Sequence, residues 1–139
     1  MNKTIYCLFA MVASFLTVSC SNDMELKQEI AAANELLPQA YGQCLVAESI
    51  SLDDDDVVYN IVVDANTCGV LDLDNSGSQR FISDQIAATW YSGMKANRDF
   101  AVRIKKTGRN IRYHIRKDDS ESTLDILIPN KELDKYLGQ

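Results

Sequence analysis

The sequence predicts a single α+β domain in which helices cover one face of an antiparallel, four-stranded sheet. Three observations lead to this fold class. Apolar residues recur at helical spacing in some stretches, they alternate at a spacing of two in others, and the two patterns follow one another along the chain. The predicted order is helix, β-hairpin, helix, β-hairpin and short helix. With 139 residues, 46% of them apolar and only two prolines, the chain is suited to one hydrophobic core.

Residues 1–19 are predicted to be a lipoprotein signal peptide and not part of this fold. A basic start is followed by an apolar run over residues 5–18, which is too short to cross about 30 Å of hydrocarbon as a helix. The run ends in Leu16-Thr17-Val18-Ser19-Cys20, which resembles a bacterial lipobox. We therefore expect Cys20 to carry lipid and to begin a mature domain of residues 20–139. The alternative is an ordinary cleaved signal that leaves Cys20 as a free thiol.

Two further cysteines are predicted to form a disulfide bond. Cys7 leaves with the signal peptide and Cys20 is used for the lipid, so Cys44 and Cys68 remain as a pair in an oxidising compartment. Closing a loop of about 25 residues stabilises a fold by roughly 3 kcal/mol in the chain-entropy model. A reactive dithiol or a metal site is the alternative.

The first helix is predicted to start at Asn22, which with Glu25 resembles a capping box, and to stop at Pro38. Its apolar stripe consists of Leu26, Ile30, Ala33 and Leu37. A hairpin follows, with its turn at residues 53–56 and with Leu52 opposite Val57. The apolar faces of its strands are Val46, Ile50 and Leu52 on one and Val57, Tyr59, Ile61 and Val63 on the other, with Glu48 interrupting the first. In this register Cys44 faces Ala65, so the disulfide requires the chain beyond Asp64 to fold back.

A second helical stripe follows an irregular, Asp-rich segment at residues 69–78. Its members are Ile82, Ile86, Trp90, Met94, Phe100, Ala101 and Ile104. Lys105, Lys106 and Gly108 are typical of a helix C-terminus, and Gly93 is a candidate break. Residues 99–105 also alternate, so a strand is the alternative there.

The second hairpin is predicted to pair Ile115 with Leu124 and Tyr113 with Ile126, which places His114 opposite Asp125 on the outer face. Pro129 ends this hairpin. A short last helix is then capped by Asn130 and docks through Leu133, Tyr136 and Leu137.

Several stretches resemble a group of small exported proteins of the Bacteroidetes, many of them lipoproteins. They are residues 32–38, Gly42, residues 56–64 and the ending Ile126-Leu127-Ile128-Pro129-Asn130-Lys131-Glu132-Leu133. The resemblance covers most of residues 25–137. It implies a fold and a bacterial origin, and it transfers no functional site because the group is largely uncharacterised.

Charge is divided unevenly along the predicted mature chain. Residues 20–79 hold 12 acidic residues and one basic residue, whereas residues 80–139 hold 12 basic and eight acidic residues. Arg112, His114 and Arg116 project from one strand face, and with Arg109 they form a candidate patch for an anionic ligand, which we call the basic patch. The alternative is that the acidic and basic halves face each other or are simply solvated. The compartment and the net negative charge argue against nucleic acid.

Calcium is the one candidate cofactor. Asp72, Asp74 and Ser76, followed by Gly77, reproduce the first half of an EF-hand loop, but Ser83 stands where a bidentate Glu is required. A polar turn is the alternative. No catalytic set is predicted, since neither Ser nor Cys accompanies His114 and Asp125.

The sequence thus predicts a non-enzymatic lipoprotein that is anchored to the outer membrane through Cys20. It does not predict whether the protein lies on the periplasmic or the surface side of this membrane. The predicted role of the protein is that of a binding or accessory module, or one resembling an inhibitor or immunity protein. The predicted partner, besides the membrane, is a protein or an anionic glycan or lipid of the envelope. The alternative function is a calcium-dependent structural or adhesion lipoprotein.

Overall fold

The structure is a computed structural model that describes residues 14–135 except residue 97, together with residue 137; for residues 14–20, 94 and 95 it describes the backbone alone. The elements in chain order are α1 (Ser14–Glu35), β1 (Gln39–Ala40), β2 (Leu45–Leu52), β3 (Asp56–Val63), α2 (Ala65–Cys68), α3 (Ser76–Ala96), α4 (Arg98–Lys106), β4 (Asn110–Arg116), β5 (Thr123–Ile128) and a 3₁₀ helix (Asn130–Lys135). Residues 1–13, which hold most of the predicted signal peptide, lie outside the described residues.

The five strands form one mixed sheet in the order β1-β2-β3-β4-β5. Both predicted hairpins are confirmed, with Leu52 opposite Val57 and with Ile115 opposite Leu124. The prediction of an all-antiparallel, four-stranded sheet is wrong, because β3 and β4 are parallel and β1 adds a short fifth strand. Three helices connect β3 to β4 and return the chain to the end of the sheet where β3 begins, so β4 runs in the same direction as β3.

A β-bulge in β2 changes which residues face the core. The register shifts between Ala47 and Ser49, so Glu48 is the extra residue. Leu45 and Ala47 before the bulge and Ile50 after it are buried, whereas Val46 is not. The prediction that Val46 belongs to the core face is therefore wrong, since the bulge reverses the alternation at Glu48.

The same bulge helps to place the disulfide. Cys44 lies opposite Asp64 and not Ala65, and the Asp64 N–H donates to the Cys44 carbonyl at 2.8 Å. The one-turn helix α2, capped by the Asp64 side chain, then folds the chain back. It brings Cys68 to a Cα–Cα distance of 5.6 Å from Cys44, and the two cysteines are bonded.

Helix ends differ from the predictions at three places. α1 continues upstream to Ser14, so Asn22 lies inside the helix and does not cap it. By contrast, the predicted helix over residues 99–105 is confirmed, and Gly108 takes the positive φ of +75° expected just after α4. Helix α3 continues through Gly93 to Ala96. The last helix is 3₁₀, and the Asn130 side chain donates to the carbonyls of Lys105 and Arg109 instead of capping it.

The core lies between the helices and one face of the sheet, as predicted. Strand residues that alternate onto this covered face are buried together with the stripes of the helices, namely Leu26 and Ile30 of α1, Ile82, Ile86 and Trp90 of α3, and Phe100, Ala101 and Ile104 of α4. Leu133 and Leu137 close one side of it. The open face carries the side chains between these residues, including the predicted Arg112, His114 and Arg116.

Candidate functional site

The open face of the sheet holds most of the basic patch, and its cations are already paired with carboxylates. Arg112 Nε donates to Asp56 Oδ2 at 3.1 Å, and its two terminal nitrogens lie 3.4 Å from Asp53 Oδ2 and 3.6 Å from Asp125 Oδ1. His114 Nδ1 lies 2.8 Å from the same Asp125 Oδ1. The acidic turn between β2 and β3 therefore approaches the basic strand, as the alternative interpretation of the charge pattern expects.

Arg116 and Arg109 are also engaged. Arg116 Nη2 donates to Glu48 Oε1 at 2.7 Å and Nη1 donates to Asp118. Both hydrogen bonds raise the pKa of Arg116, and the bond to Glu48 has the larger effect. Arg109 lies apart from the open face, at the end of the sheet, and is buried. The basic patch thus consists of residues on the open face of the sheet that are paired with carboxylates, and of the separate, buried guanidinium of Arg109. Anion binding by the basic patch stays a prediction.

The turn that supplies these carboxylates is itself organised by hydrogen bonds. Asp53 Oδ1 accepts from the backbone N–H groups of Asp56 at 2.6 Å and Asp55 at 2.9 Å. The hydrogen bond from the Asp56 N–H is the largest cause that lowers the pKa of Asp53. Burial acts in the opposite direction, whereas the Asp55 N–H and Arg112 lower the pKa further. Asp53 therefore favours its ionised form in the fold.

Two of the three predicted calcium ligands, Asp72 and Asp74, accept hydrogen bonds within the chain. Asp72 Oδ1 accepts from the Asp74 N–H at 3.0 Å, and Asp74 Oδ2 accepts from the Ser122 hydroxyl at 2.6 Å. Ser76 is the first residue of α3. Within the part of the chain that the structure describes, no group of three or more His, Cys, Asp or Glu residues is arranged to hold a metal ion. Calcium binding by Asp72, Asp74 and Ser76 stays a prediction.

His114 was the only histidine candidate for catalysis. Its Nδ1 is hydrogen-bonded to Asp125, and among the described residues no serine or cysteine hydrogen-bonds to the imidazole. A nucleophile and base within hydrogen-bond reach of each other are what such chemistry requires. The lipidation of Cys20 is not visible in this structure, because the side chains of residues 14–20 are not described, and it stays a prediction. None of the described helices is both long enough and apolar enough to cross a membrane.

An apolar groove between α1 and α4 is a feature that the sequence analysis missed. Its outer cavity, of about 350 Å³, is lined by Glu29, Ala32, Ala33, Leu36, Asp99 and Phe100. Its inner cavity, of about 240 Å³, shares Ala33 and Phe100 and continues to Tyr41, Ile50, Tyr59, Thr89, Trp90 and Gly93. We call the two cavities together the α1–α4 groove. The sequence signal for it is weak: small alanines in α1 stand beside the bulky Phe100, which leaves space between the helices.

Two tyrosines that line the inner cavity, Tyr41 and Tyr59, pack against a third, Tyr113. Tyr41, Tyr59 and Tyr113 have ring centroids 4.9 to 5.8 Å apart, and the hydroxyls of Tyr41 and Tyr113 share a hydrogen bond of 2.6 Å. Burial raises the pKa of Tyr41 to about 12 and raises those of Tyr59 and Tyr113. All three hydroxyls therefore stay protonated at neutral pH.

The disulfide and a close helix contact hold Tyr41 at this place. Gly42, at φ +79°, allows the turn between β1 and β2 to approach α3, where an added Cβ would lie 2.8 Å from Thr89 Oγ1. The Gln43 N–H donates to Gln85 Oε1 at 2.9 Å, and Cys44 is bonded to Cys68. The wall of the groove that Tyr41 forms is thus anchored on both sides of the turn.

Comparison with known proteins identifies the fold. No family model and no curated protein sequence matches the chain. The pilotin EpsS of the Vibrio vulnificus type 2 secretion system has a similar structure, with a TM-score of 0.55 and 15% identity over 81% of this chain and 92% of the pilotin. A Pseudomonas aeruginosa protein described as a "putative secreted protein" also has a TM-score of 0.55, with 9% identity over 81% of this chain and 93% of that protein.

At these identities the likeness shows a common fold alone. The chain therefore has the α+β fold of a secretion-system pilotin and of a second protein described as secreted. The resemblance to exported proteins of the Bacteroidetes is not addressed by either structure and stays a prediction.

Proposed function

We propose that this protein is a non-enzymatic, lipid-anchored accessory protein of the bacterial outer membrane that binds a protein partner through the α1–α4 groove. The observation that carries the proposal is the groove itself, an apolar opening with an exposed leucine at its mouth. Such openings on small domains commonly mark interaction sites. The cations of the open face, by contrast, are satisfied within the chain.

The groove fits an apolar segment of a protein. Leu36 is 69% exposed at the mouth, although the neighbouring Phe100 is 7% exposed at the base. Burying an exposed leucine against a partner contributes about 1.5–3 kcal/mol. Aromatic residues line the inner cavity, which can receive one or two side chains from a partner helix or strand.

The rim of the groove is acidic, which indicates the charge of the partner segment. Glu29 and Asp99 line the outer cavity, and Glu29 is already hydrogen-bonded to Arg103 Nε. Asp99 and Glu35 are both exposed, and Glu35 directly precedes Leu36, which also lines the outer cavity. We therefore expect basic residues beside the apolar anchors of the partner, since rim charges of opposite sign favour encounter and orientation.

Two further observations support the proposal. The fold is that of a pilotin, a component of a type 2 secretion system, over 81% of this chain. The lipobox-like sequence before Cys20 supports an anchor in the outer membrane. The lack of a nucleophile beside His114 among the described residues favours binding over catalysis.

Site-specific photo-crosslinking in cells that make the full, lipidated protein tests this function. A photoreactive amino acid at Leu36 should capture one discrete partner protein, whereas the same group at Val70, which is 94% exposed on the loop after α2, should not. Asp99→Lys should lower the yield at Leu36, and Glu121→Lys, the same charge change in the exposed β4–β5 turn, should leave it unchanged.

Two results would contradict the proposal. Equal capture patterns from Leu36 and Val70 would remove the groove as the binding site. Mass spectrometry of the native protein without a diacylglyceryl group on Cys20 would remove the lipid anchor.

A further inference from the structure

A second, polar opening lies at the end of the molecule where α1 joins the folded body. We call it the polar cleft. It has a volume of about 300 Å³ and is lined by Asp23, Asp54, Lys106, Thr107 and Arg109. These residues come from α1, the β2–β3 turn, the last residue of α4 and the loop between α4 and β4, so the cleft exists only in the folded domain.

The polar cleft contains both signs of charge in an ordered arrangement. Arg109 is buried at its base, where Nη1 donates to Asp23 Oδ1 at 2.7 Å and Nε donates to the Asp53 carbonyl at 2.8 Å. A guanidinium has five N–H donors, so these two bonds leave donors over. Lys106 and Asp54 are exposed, and within the described residues neither side chain has an ion pair. The cleft therefore offers an ammonium group and a carboxylate that can each take a ligand of opposite charge.

The position of Cys20 brings this cleft to the membrane. Cys20 precedes Asp23 by three residues, which span about 4.5 Å in a helix and at most about 11 Å when extended. A lipid on Cys20 would hold the polar cleft at the level of the phospholipid headgroups. At that distance the local concentration of headgroups is high, so even weak binding at the cleft is well populated.

We propose that the polar cleft binds the headgroup of a zwitterionic phospholipid that carries a primary ammonium group, a phosphoethanolamine headgroup. The phosphate contacts Lys106 and the remaining donors of Arg109, and the ammonium group contacts Asp54. This inference rests on the proposed function, because the lipid on Cys20 delivers the cleft to the bilayer. It orients the domain with the β2–β3 turn toward the membrane.

Amide hydrogen exchange on the full, lipidated protein in lipid nanodiscs tests the inference. Discs that contain phosphatidylethanolamine are compared with discs of phosphatidylcholine alone, whose quaternary ammonium group has no N–H donor. We expect exchange at residues 106–110 and 53–56 to be about tenfold slower in the ethanolamine discs, as for a site that is about 90% occupied. Equal exchange in the two lipids would overturn the inference.

Charge-reversal variants locate the effect. Lys106→Glu and Asp54→Lys should each remove the tenfold slowing, whereas Arg80→Glu and Glu121→Lys, exposed positions near the opposite end of the sheet, should keep it. Retention of the slowing in both cleft variants would overturn the inference. So would an equal slowing by inorganic phosphate added to phosphatidylcholine discs, because phosphate alone lacks the ammonium group.

The two proposals fail in different ways. A protein that carries lipid on Cys20 and captures a partner through Leu36, but shows no difference between the two lipids, refutes the headgroup site alone. A native Cys20 without lipid refutes the anchor and, with it, the headgroup site.

Discussion

The covered and the open face of β4 differ in the interactions that their side chains make. Ile111, Tyr113 and Ile115 are fully buried against the helices. Arg112, His114 and Arg116, which alternate with them, are about one third to two fifths exposed, and each faces a carboxylate of this chain. The covered face is stabilised by burial of apolar side chains, whereas the side chains of the open face are paired with carboxylates in contact with solvent.

This difference bears on where a partner can bind. On the open face a ligand anion has to displace carboxylates from Asp53, Asp56, Glu48 and Asp125 before it reaches a cation. The α1–α4 groove, in contrast, has a largely apolar lining, and Leu36 at its mouth is 69% exposed. The cluster of basic residues in the sequence was therefore a poor guide to a binding site. The carboxylates that pair with these cations come from distant parts of the chain, and only the structure brings them together.

The largest predicted effect contrasts two neighbours on β4. Ile115→Ala removes a fully buried side chain and should lower the free energy of unfolding by about 2–5 kcal/mol, from lost burial and the cavity left behind. His114→Ala should lower it by less than about 1 kcal/mol, because the His114–Asp125 pair is solvent-exposed. Urea unfolding followed by circular dichroism measures both. Equal losses would contradict the contrast between the faces.

The hairpins could be predicted from the sequence because alternation at a spacing of two leaves few registers that bury every apolar residue. The pairs Leu52–Val57 and His114–Asp125 are accordingly found as predicted. The parallel pairing of β3 with β4 could not be predicted in this way. It depends on where three intervening helices return the chain, and apolar periodicity carries no information on that direction.

The features missed at the sequence level arise from contacts distant in sequence. Glu48 interrupts the apolar alternation of β2 in the sequence, but the sequence pattern did not identify the cause, which is a β-bulge at this residue. Lys117 is buried because its ammonium group donates to the carbonyls of Gly69 and Leu71, at 2.8 Å each, beside the disulfide. The α1–α4 groove and the polar cleft are gaps between elements, and no spacing within one element predicts a gap.

A smaller effect should separate the two kinds of cation within the basic patch. Arg109→Met leaves Asp23 and the Asp53 carbonyl without their buried donor, and should cost about 1–3 kcal/mol of unfolding free energy. Arg112→Met, at an arginine about one third exposed, should cost less than about 1 kcal/mol despite its three carboxylate neighbours. Chemical unfolding at moderate and at high salt distinguishes them, since salt weakens the exposed pairs more. A larger loss for Arg112→Met would contradict this assignment.

The smallest predicted effect concerns pH and the β2–β3 turn. The pKa of Asp53 is lowered from its usual value near 3.8, first by the Asp56 backbone N–H. A carboxyl group with a lowered pKa in the fold contributes its stability above its pKa in the unfolded chain, and loses it as the pH falls through the folded pKa. Asp53→Asn keeps an oxygen that accepts the N–H groups but has no charge. It should be less stable than the natural protein by under about 1 kcal/mol above about pH 4, because Asp53 is half exposed.

The two stability curves should therefore converge as the pH falls through the folded pKa of Asp53, below which Asp53 is protonated as well. Asp54→Asn provides the matched control, because it removes the adjacent charge without touching the hydrogen bonds that Asp53 accepts. Urea unfolding across this pH range is the measurement. A difference between Asp53→Asn and the natural protein that stayed constant down to the lowest pH would show that the charge of Asp53 does not stabilise the turn. In that case the pairing of the acidic turn with the open face, although visible in the geometry, would contribute nothing measurable to folding.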